Sequence, residues 1–225
     1  MNTPVIAIDG PSGSGKGTIA RAVASRLGWN LLDSGALYRL VAIAAEEAGA
    51  GPEAPARLGQ LARGLRVEFS QDASGNERIL MGGQDVTLRV RAEATGEAAS
   101  RLAGIPEVRA GLLELQHGFR RDPGLVADGR DMGTVVFPDA RLKIFLTASV
   151  AERAQRRYNQ LIEKGLTANL DALFHDISAR DERDQNRPVS PLEPAADAVR
   201  LDTTGVGISQ VVARVMELAG ERLSS

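Results

Sequence analysis

Nine residues near the start of the chain have the types and spacing to hold a chain of phosphates: Gly10, Pro11, Ser12, Gly13, Ser14, Gly15, Lys16, Gly17 and Thr18. They follow a short aliphatic run, Val5 to Asp9, and open a helical stretch reaching about Leu27. Glycines in such a turn let backbone N–H groups converge on phosphate oxygens, the helix N-terminus adds partial positive charge, and Lys16 reaches the phosphate in transit. A nucleoside triphosphate is the expected ligand, with Mg²⁺ beside it. The G-x-x-x-x-G-K pattern usually continues with Ser or Thr, whereas here Gly17 intervenes and the hydroxyl arrives at Thr18. Metal contacts are therefore expected mainly from phosphates and waters, with Thr18 and Asp128 acting through water.

Four further clusters carry charge or hydroxyls. Asp33-Ser34-Gly-Ala-Leu-Tyr38-Arg39 ends a second aliphatic run, where Ser34 would cap a helix carrying Tyr38 and Arg39. Asp128-Gly-Arg130-Asp131 ends a third and sets a cation beside an anion, a pairing that a surface salt-bridged turn would also explain. From Arg180 to Arg187, helical phasing puts Arg180, Asp184 and Arg187 on one stripe, though such runs also occur as ion pairs on a solvated face. Arg153, Arg156 and Arg157 share one helix face, and for Arg156 that face also reads as solvated.

These clusters must be held by a scaffold, and the aliphatic runs supply one. Val5–Asp9, Asn30–Asp33, Leu125–Asp128, Leu142–Leu146 and Val199–Asp202 are apolar without clean alternation, which suits strands buried on both faces of a parallel sheet. Helical stretches separate them. The expected fold class is α/β, a doubly wound parallel five-stranded sheet whose ligands sit beyond the carboxyl ends of the strands. The core takes residues 1–48 and 121–225. Between them, 49–120 reads as an insertion: strands at Leu65–Phe69 and Arg78–Met81 flank the turn-rich Asp72–Asn76, Gly82-Gly83 makes a second turn, and helices follow at Arg89–Ala103 and Pro106–Phe119. A second charged, helical excursion, Val150 to Asn186, reads as a lid at about 155–187.

Composition narrows the function classes. The 225 residues are 43% hydrophobic, and 27 Lys+Arg against 29 Asp+Glu leave a net charge of −2, which with eight aromatic residues argues against a nucleic-acid-binding surface. At about 150 residues per domain this length suits one domain with insertions. No cysteine is present, so disulfides, thiolate metal sites and a thiol nucleophile are excluded, and two histidines do not make a metal centre. No apolar stretch approaches the roughly 18 residues needed to span a bilayer, so no membrane partner and a cytoplasmic location are expected. Three of the 27 cations are Lys, at 16, 143 and 164, and the other 24 are Arg. Arg57, Arg63 and Arg222 fall in no motif.

The GKGT ending of the glycine-rich loop resembles the nucleoside monophosphate kinases, a family of P-loop NTPases. With Asp33 to Arg39, Asp128 to Gly133, Arg180 to Arg187 and the intervening helices carrying Ser100 and Arg109, the order and spacing are similar to those of the bacterial cytidylate (CMP) kinases over nearly the whole chain. The resemblance implies transfer of the γ-phosphoryl of ATP to CMP or dCMP, with the insertion binding the monophosphate. Residue by residue it implies that Ser34, Tyr38, Arg39, Arg130 and Arg187 lie at the monophosphate, with Arg39, Arg130 and Arg187 on its phosphate. Ser100, Arg109 and Asp131 would meet the cytosine, and Arg180 and Asp184 the ribose. Lid arginines Arg153 and Arg157 would cover the ATP phosphates, and Lys16 and Arg130 would join them in catalysis. Small-molecule substrates and a monomer are the expected partners and state. A kinase of UMP, AMP or shikimate on the same fold is the alternative within enzymes, while a P-loop switch GTPase would need an [NT]-K-x-D motif that none of the three lysines provides.

Overall fold

A computed structural model describes residues 3–71, 74, 77–163, 165 and 167–223; Lys164 and most of the Asp72–Asn76 turn lie outside the described residues. In chain order, the first strand β1 (Val5–Asp9) leads through the glycine-rich loop into helix α1 (Lys16–Leu27) and strand β2 (Asn30–Asp33). Next come α2 (Ser34–Glu47), α3 (Pro55–Arg63), β3 (Val67–Gln71), β4 (Glu77–Met81), β5 (Gln84–Asp85), α4 (Thr87–Arg91), α5 (Glu93–Leu102) and α6 (Pro106–His117). The chain then returns through β6 (Leu125–Gly129), a π-helical turn (Met132–Val136), β7 (Leu142–Thr147), α7 (Val150–Glu163), α8 (Leu170–Gln185), β8 (Val199–Asp202) and α9 (Ile208–Leu223). Two compact units result, one of residues up to Asp33 with Gly118 onward, the other of Ser34–His117.

The first unit is built on a five-stranded, all-parallel sheet of order β2-β6-β1-β7-β8. Every residue of β1 and β6 is buried, as expected of strands covered on both faces. Ile6, Ile8 and Val126 from the sheet pack with Ile19 and Val23 of α1 and with Val212 and Val215 of α9. Register brings Asp9 opposite Gly129 and Phe145, Asp33 opposite Asp128, and Thr147 opposite Asp202, so the acidic strand ends fall along one edge of the sheet. That edge is the one from which the loops of interest depart. Among the described residues no helix is long and apolar enough to cross a membrane.

The second unit holds the antiparallel sheet β3-β4-β5 and helices α2 to α6. Its first strand starts two residues later than the apolar pattern suggests, at Val67. The single helix expected over Arg89–Ala103 is two, because Ala92 is extended (φ −67°, ψ 146°). Arg39 compensates the break: its Nη1 donates to the carbonyls of Val90 and Ala92, each at 2.8 Å, satisfying helix-end acceptors. Ser34 is not a cap before α2 but its first residue. In the first unit, α8 ends at Gln185, so Arg187 lies beyond the helix and off the expected stripe, its Nε donating to the Asp184 carbonyl at 3.3 Å. Asp202 accepts from the N–H and hydroxyl of Thr204 in a turn ahead of the last helix, which begins at Ile208.

Helices α3 and α6 approach backbone to backbone. A Cβ on Gly111 would stand 2.7 Å from the Gly59 carbonyl oxygen and 2.8 Å from Ala62 Cβ, and one on Gly59 would stand 2.9 Å from the Glu107 carbonyl oxygen. No flexible side-chain end is available to yield there. Gly111→Val is expected to destabilise the protein by roughly 1–3 kcal/mol through overpacking, read as a lowered midpoint in urea unfolding; an unchanged midpoint would contradict this packing.

Candidate active site

The glycine-rich loop is shaped by close approaches that only glycine allows. Gly10 has φ +152°, and a Cβ there would stand 2.2 Å from the Leu146 carbonyl oxygen of β7. Gly15 takes φ +88° as it leads into α1. Lys16, the first residue of α1, is buried, and its Nζ donates to the Pro11 carbonyl at 3.0 Å across the loop. Burial pushes its ammonium down to about 7; Arg130 and Arg180 push the same way, while Asp128 and Asp184 oppose them. Ser14 is fully buried, and its Oγ has no hydrogen-bond partner among the described residues. The Asp128 carboxylate stands against the first turn of α1, where a Cβ on Gly17 would lie 3.1 Å from Oδ2. Thr18 is exposed on the same turn.

Past β6, Arg130 and Asp131 form a two-residue link to the π-helical turn. Arg130 Nε donates to Asp184 Oδ2 of α8 at 2.9 Å. Burial alone would raise the Asp184 carboxyl, but Arg130, Arg187 and Arg180 together hold it below its ordinary value. Asp131 is 2% exposed. At the end of β1, Asp9 accepts the N–H groups of Met132 and Gly133, both at 2.8 Å. Burial pushes the Asp9 carboxyl up to about 7; the two N–H bonds favour its charged form, and Asp131 and Asp128 disfavour it.

The arginines of α7 divide their work. Arg153 is 3% exposed; its guanidinium donates to the Ala148 carbonyl, to the Ser12 carbonyl of the loop at 2.9 Å, and to both carboxylate oxygens of Asp181 on α8. Arg156 does not lie on a solvated face. Its Nη2 donates to the Thr203 carbonyl at 2.6 Å and its Nη1 to Thr203 Oγ1 at 3.2 Å. Thr203 in turn donates to Ser14 and Thr147 carbonyls, tying the loop to the end of β7. Arg157, part-exposed, donates to Gln160 Oε1 at 3.2 Å.

The second unit brings its own candidates together. Ser34, Tyr38, Ser100 and Arg109 are buried, Arg109 Nη1 donates to the Ala103 carbonyl at 3.1 Å, and its guanidinium carbon lies 5.8 Å from the centre of the Tyr38 ring, within cation–π range. Arg39 fills the space beside Gly96, where a Cβ would meet its Nη2 at 2.4 Å. Arg39 and Arg109 are thus anchored to backbone carbonyls, which fixes the direction of each cation.

Three contributors escape sequence reasoning, Asp9, Asp181 and the π-helical turn, and Thr203 reads from sequence only as part of a strand end and helix cap. Asp9 reads as one more acidic strand end, and its twofold acceptance of N–H groups 123 and 124 residues away has no local signal. Asp181 sits one residue from Arg180 within a charge run, so nothing in the run singles it out. The π turn arises where Val136 N–H reaches back to the Asp131 carbonyl at 3.1 Å and Phe137 N–H to that of Met132 at 2.7 Å.

A protein-family model described as cytidylate kinase matches residues 6–221. A cytidylate kinase of Azotobacter vinelandii is 55% identical over 222 residues, spanning 98% of this chain and 97% of that protein. Those of Pseudomonas syringae pv. tomato and Shewanella denitrificans are 55% and 53% identical, each covering 96% of this chain and 95% of their own length. Among solved structures, an uncharacterized protein from Eubacterium ventriosum aligns with 98% of this chain and 100% of its own at a TM-score of 0.50 and 8% identity, a likeness of fold alone. With the phosphate loop, the parallel sheet and near-full-length identity above 50% in agreement, the chain belongs to the cytidylate kinase family.

Proposed function

We propose that the chain transfers the γ-phosphoryl group of ATP to CMP or dCMP, giving ADP and CDP or dCDP, as a monomer acting on small-molecule substrates. The observation that carries this reading is the charge environment of Lys16. A buried ammonium at the head of α1, held to the Pro11 carbonyl and facing Arg130 and Arg180 with Asp128 and Asp184 only partly offsetting them, gains further stabilisation from a polyanion. The attacking atom is already a phosphate oxygen of the monophosphate, so no strong general base is required, and catalysis consists of positioning and charge neutralisation. Lys16 neutralises the transferred group, and Arg130 bridges it to the acceptor phosphate. Arg153 and Arg157 serve the donor phosphates, Arg153 also by fixing the Ser12 carbonyl within the loop.

Mg²⁺ fits this donor set. Thr18 on the first turn of α1 and Asp128 of β6, which stands against that turn, offer hard oxygen atoms, and among the described residues no three His, Cys, Asp or Glu side chains form an ion cage of their own. Asp128 and Thr18 would hold the ion through water, with phosphate oxygens as its main ligands. When bound, it supplies charge neutralisation at the phosphates.

Acceptor choice follows from base chemistry. Cytosine presents an N4 amino donor beside N3 and O2 acceptors, whereas uracil presents O4 and N3–H. Asp131 is assigned to N4, Arg109 to the acceptors and Ser100 to the same edge, so uracil would set O4 against a carboxylate. Polar mispairing of this kind discriminates more strongly than an apolar pocket. Arg39, Arg187 and Arg130 are assigned to the monophosphate, with Ser34 and Tyr38 beside it, and Arg180 and Asp184 to the ribose.

In a coupled assay the chain is expected to phosphorylate CMP and dCMP, with kcat/KM for UMP lower by roughly tenfold or more. Equal use of UMP would contradict the base assignment, and no turnover of any monophosphate would contradict the enzyme class. Lys16→Met is expected to lower kcat by about 10²–10³-fold. Since the Lys16 ammonium sits at about 7 and anionic phosphates raise it, ATP binding at pH 8 should draw a proton onto Lys16 from solution. Calorimetry in buffers of different ionisation enthalpy should show that uptake in the wild type and not in Lys16→Met; its absence from the wild type would overturn the assignment.

A further inference from the structure

Asp9 is a buried carboxylate to which the proposed chemistry gives no part, yet both its oxygens are engaged. Oδ1 accepts the Met132 N–H and Oδ2 the Gly133 N–H, each at 2.8 Å. These two amides immediately follow Asp131. On the other side, Asp9 is in register with Gly129, the last residue of β6. The two-residue link Arg130–Asp131 is therefore bracketed by one residue of the central strand, through the sheet behind it and through a carboxylate ahead of it. The Asp131 carbonyl is also engaged, accepting from the N–H groups of Val135 at 2.9 Å and Val136 at 3.1 Å. Crowding completes the bracket: a Cβ on Gly133 would stand 3.2 Å from Lys143 side-chain carbons and 3.4 Å from Asp9 Oδ2. With its backbone fixed on both sides and its side chain buried, Asp131 has little freedom left in where its carboxylate points.

We infer that Asp9 is a positioning residue for acceptor choice: by holding the Met132 and Gly133 amides it sets the direction of the Asp131 carboxylate, and so the preference for cytosine over uracil. This rests on the assignment of Asp131 to the cytosine amino group. Asp9 touches no substrate in this account. Both its oxygens accept an amide N–H, and an asparagine keeps the shape while offering one acceptor and turning a donor toward the other amide.

The test measures kcat/KM for CMP and for UMP at saturating ATP in the wild type, Asp9→Asn, Gly133→Ala and Asp131→Asn. Asp9→Asn is expected to lower the CMP-to-UMP ratio by about tenfold, through KM for CMP more than through KM for ATP. Gly133→Ala, which keeps the carboxylate and displaces its partner amide, is expected to move the ratio the same way. An unchanged ratio with a uniform fall in rate would overturn the proposal, since Asp9 would then act through the adjoining Gly10 on the donor side. Failure of both variants to fold where the wild type is folded would also overturn it, by making Asp9 a requirement of the sheet. Asp131→Asn separates the two layers. If it leaves the ratio unchanged, the base assignment itself falls and this proposal with it; if it collapses the ratio while Asp9→Asn does not, the role of Asp9 alone is wrong.

Discussion

Placing a lysine ammonium out of water at the head of a helix is the constraint around which the first unit is organised. Desolvation disfavours the charge, the α1 N-terminus contributes further positive potential, and Arg130 and Arg180 add repulsion. Asp128 and Asp184 offset part of this. A folded protein tolerates such local unfavourable electrostatics when a ligand relieves it, and a row of phosphates supplies the missing negative charge. The glycine-rich loop, Asp128 and the α7 arginines bonded to loop carbonyls keep that cation in place, while Arg130 and Arg180 leave it short of negative charge.

Rigidity at this edge comes from a few long-range bonds. Arg153 holds the Ser12 carbonyl and Asp181 at once, so the loop and α8 share one guanidinium. Arg156 and Thr203 fasten the Ser14 carbonyl and the ends of β7 and β8. Asp9 fastens the turn after β6 to the end of β1. These ties join residues distant in sequence that leave the ends of β6, β1, β7 and β8, strands that stand in one run in the order β2-β6-β1-β7-β8, so the parallel sheet and not any single loop brings them together.

Much of this was legible in the residues because it obeys local rules. Five aliphatic runs gave the five parallel strands, since strands buried on both faces need continuous apolar sequence. Gly10 to Lys16 announced the phosphate loop because the backbone there needs glycine to pass under Leu146. What stayed hidden depends on distant partners. The break at Ala92 lies in a stretch of good helix formers and exists where Arg39, from α2, caps the exposed carbonyls. Arg187 follows the helical phase on paper, yet α8 stops at Gln185 and the chain turns, with the Leu192 N–H bonding back to the Asp184 carbonyl at 2.7 Å. For Arg156 the sequence leaves a solvated face open because its partner, Thr203, lies 47 positions away.

The proposed chemistry has the Asp131 carboxylate, the Arg109 guanidinium and the Ser100 hydroxyl reading the edge of cytosine, and Lys16 with its neighbouring arginines managing the phosphates. A crystal structure of the chain with CMP bound tests it most directly. The Asp131 carboxylate is expected within hydrogen-bond distance of the N4 amino group, with Arg109 and Ser100 on the remaining acceptors of the same edge. A base edge met by other side chains, with Asp131 turned away from N4, would contradict it.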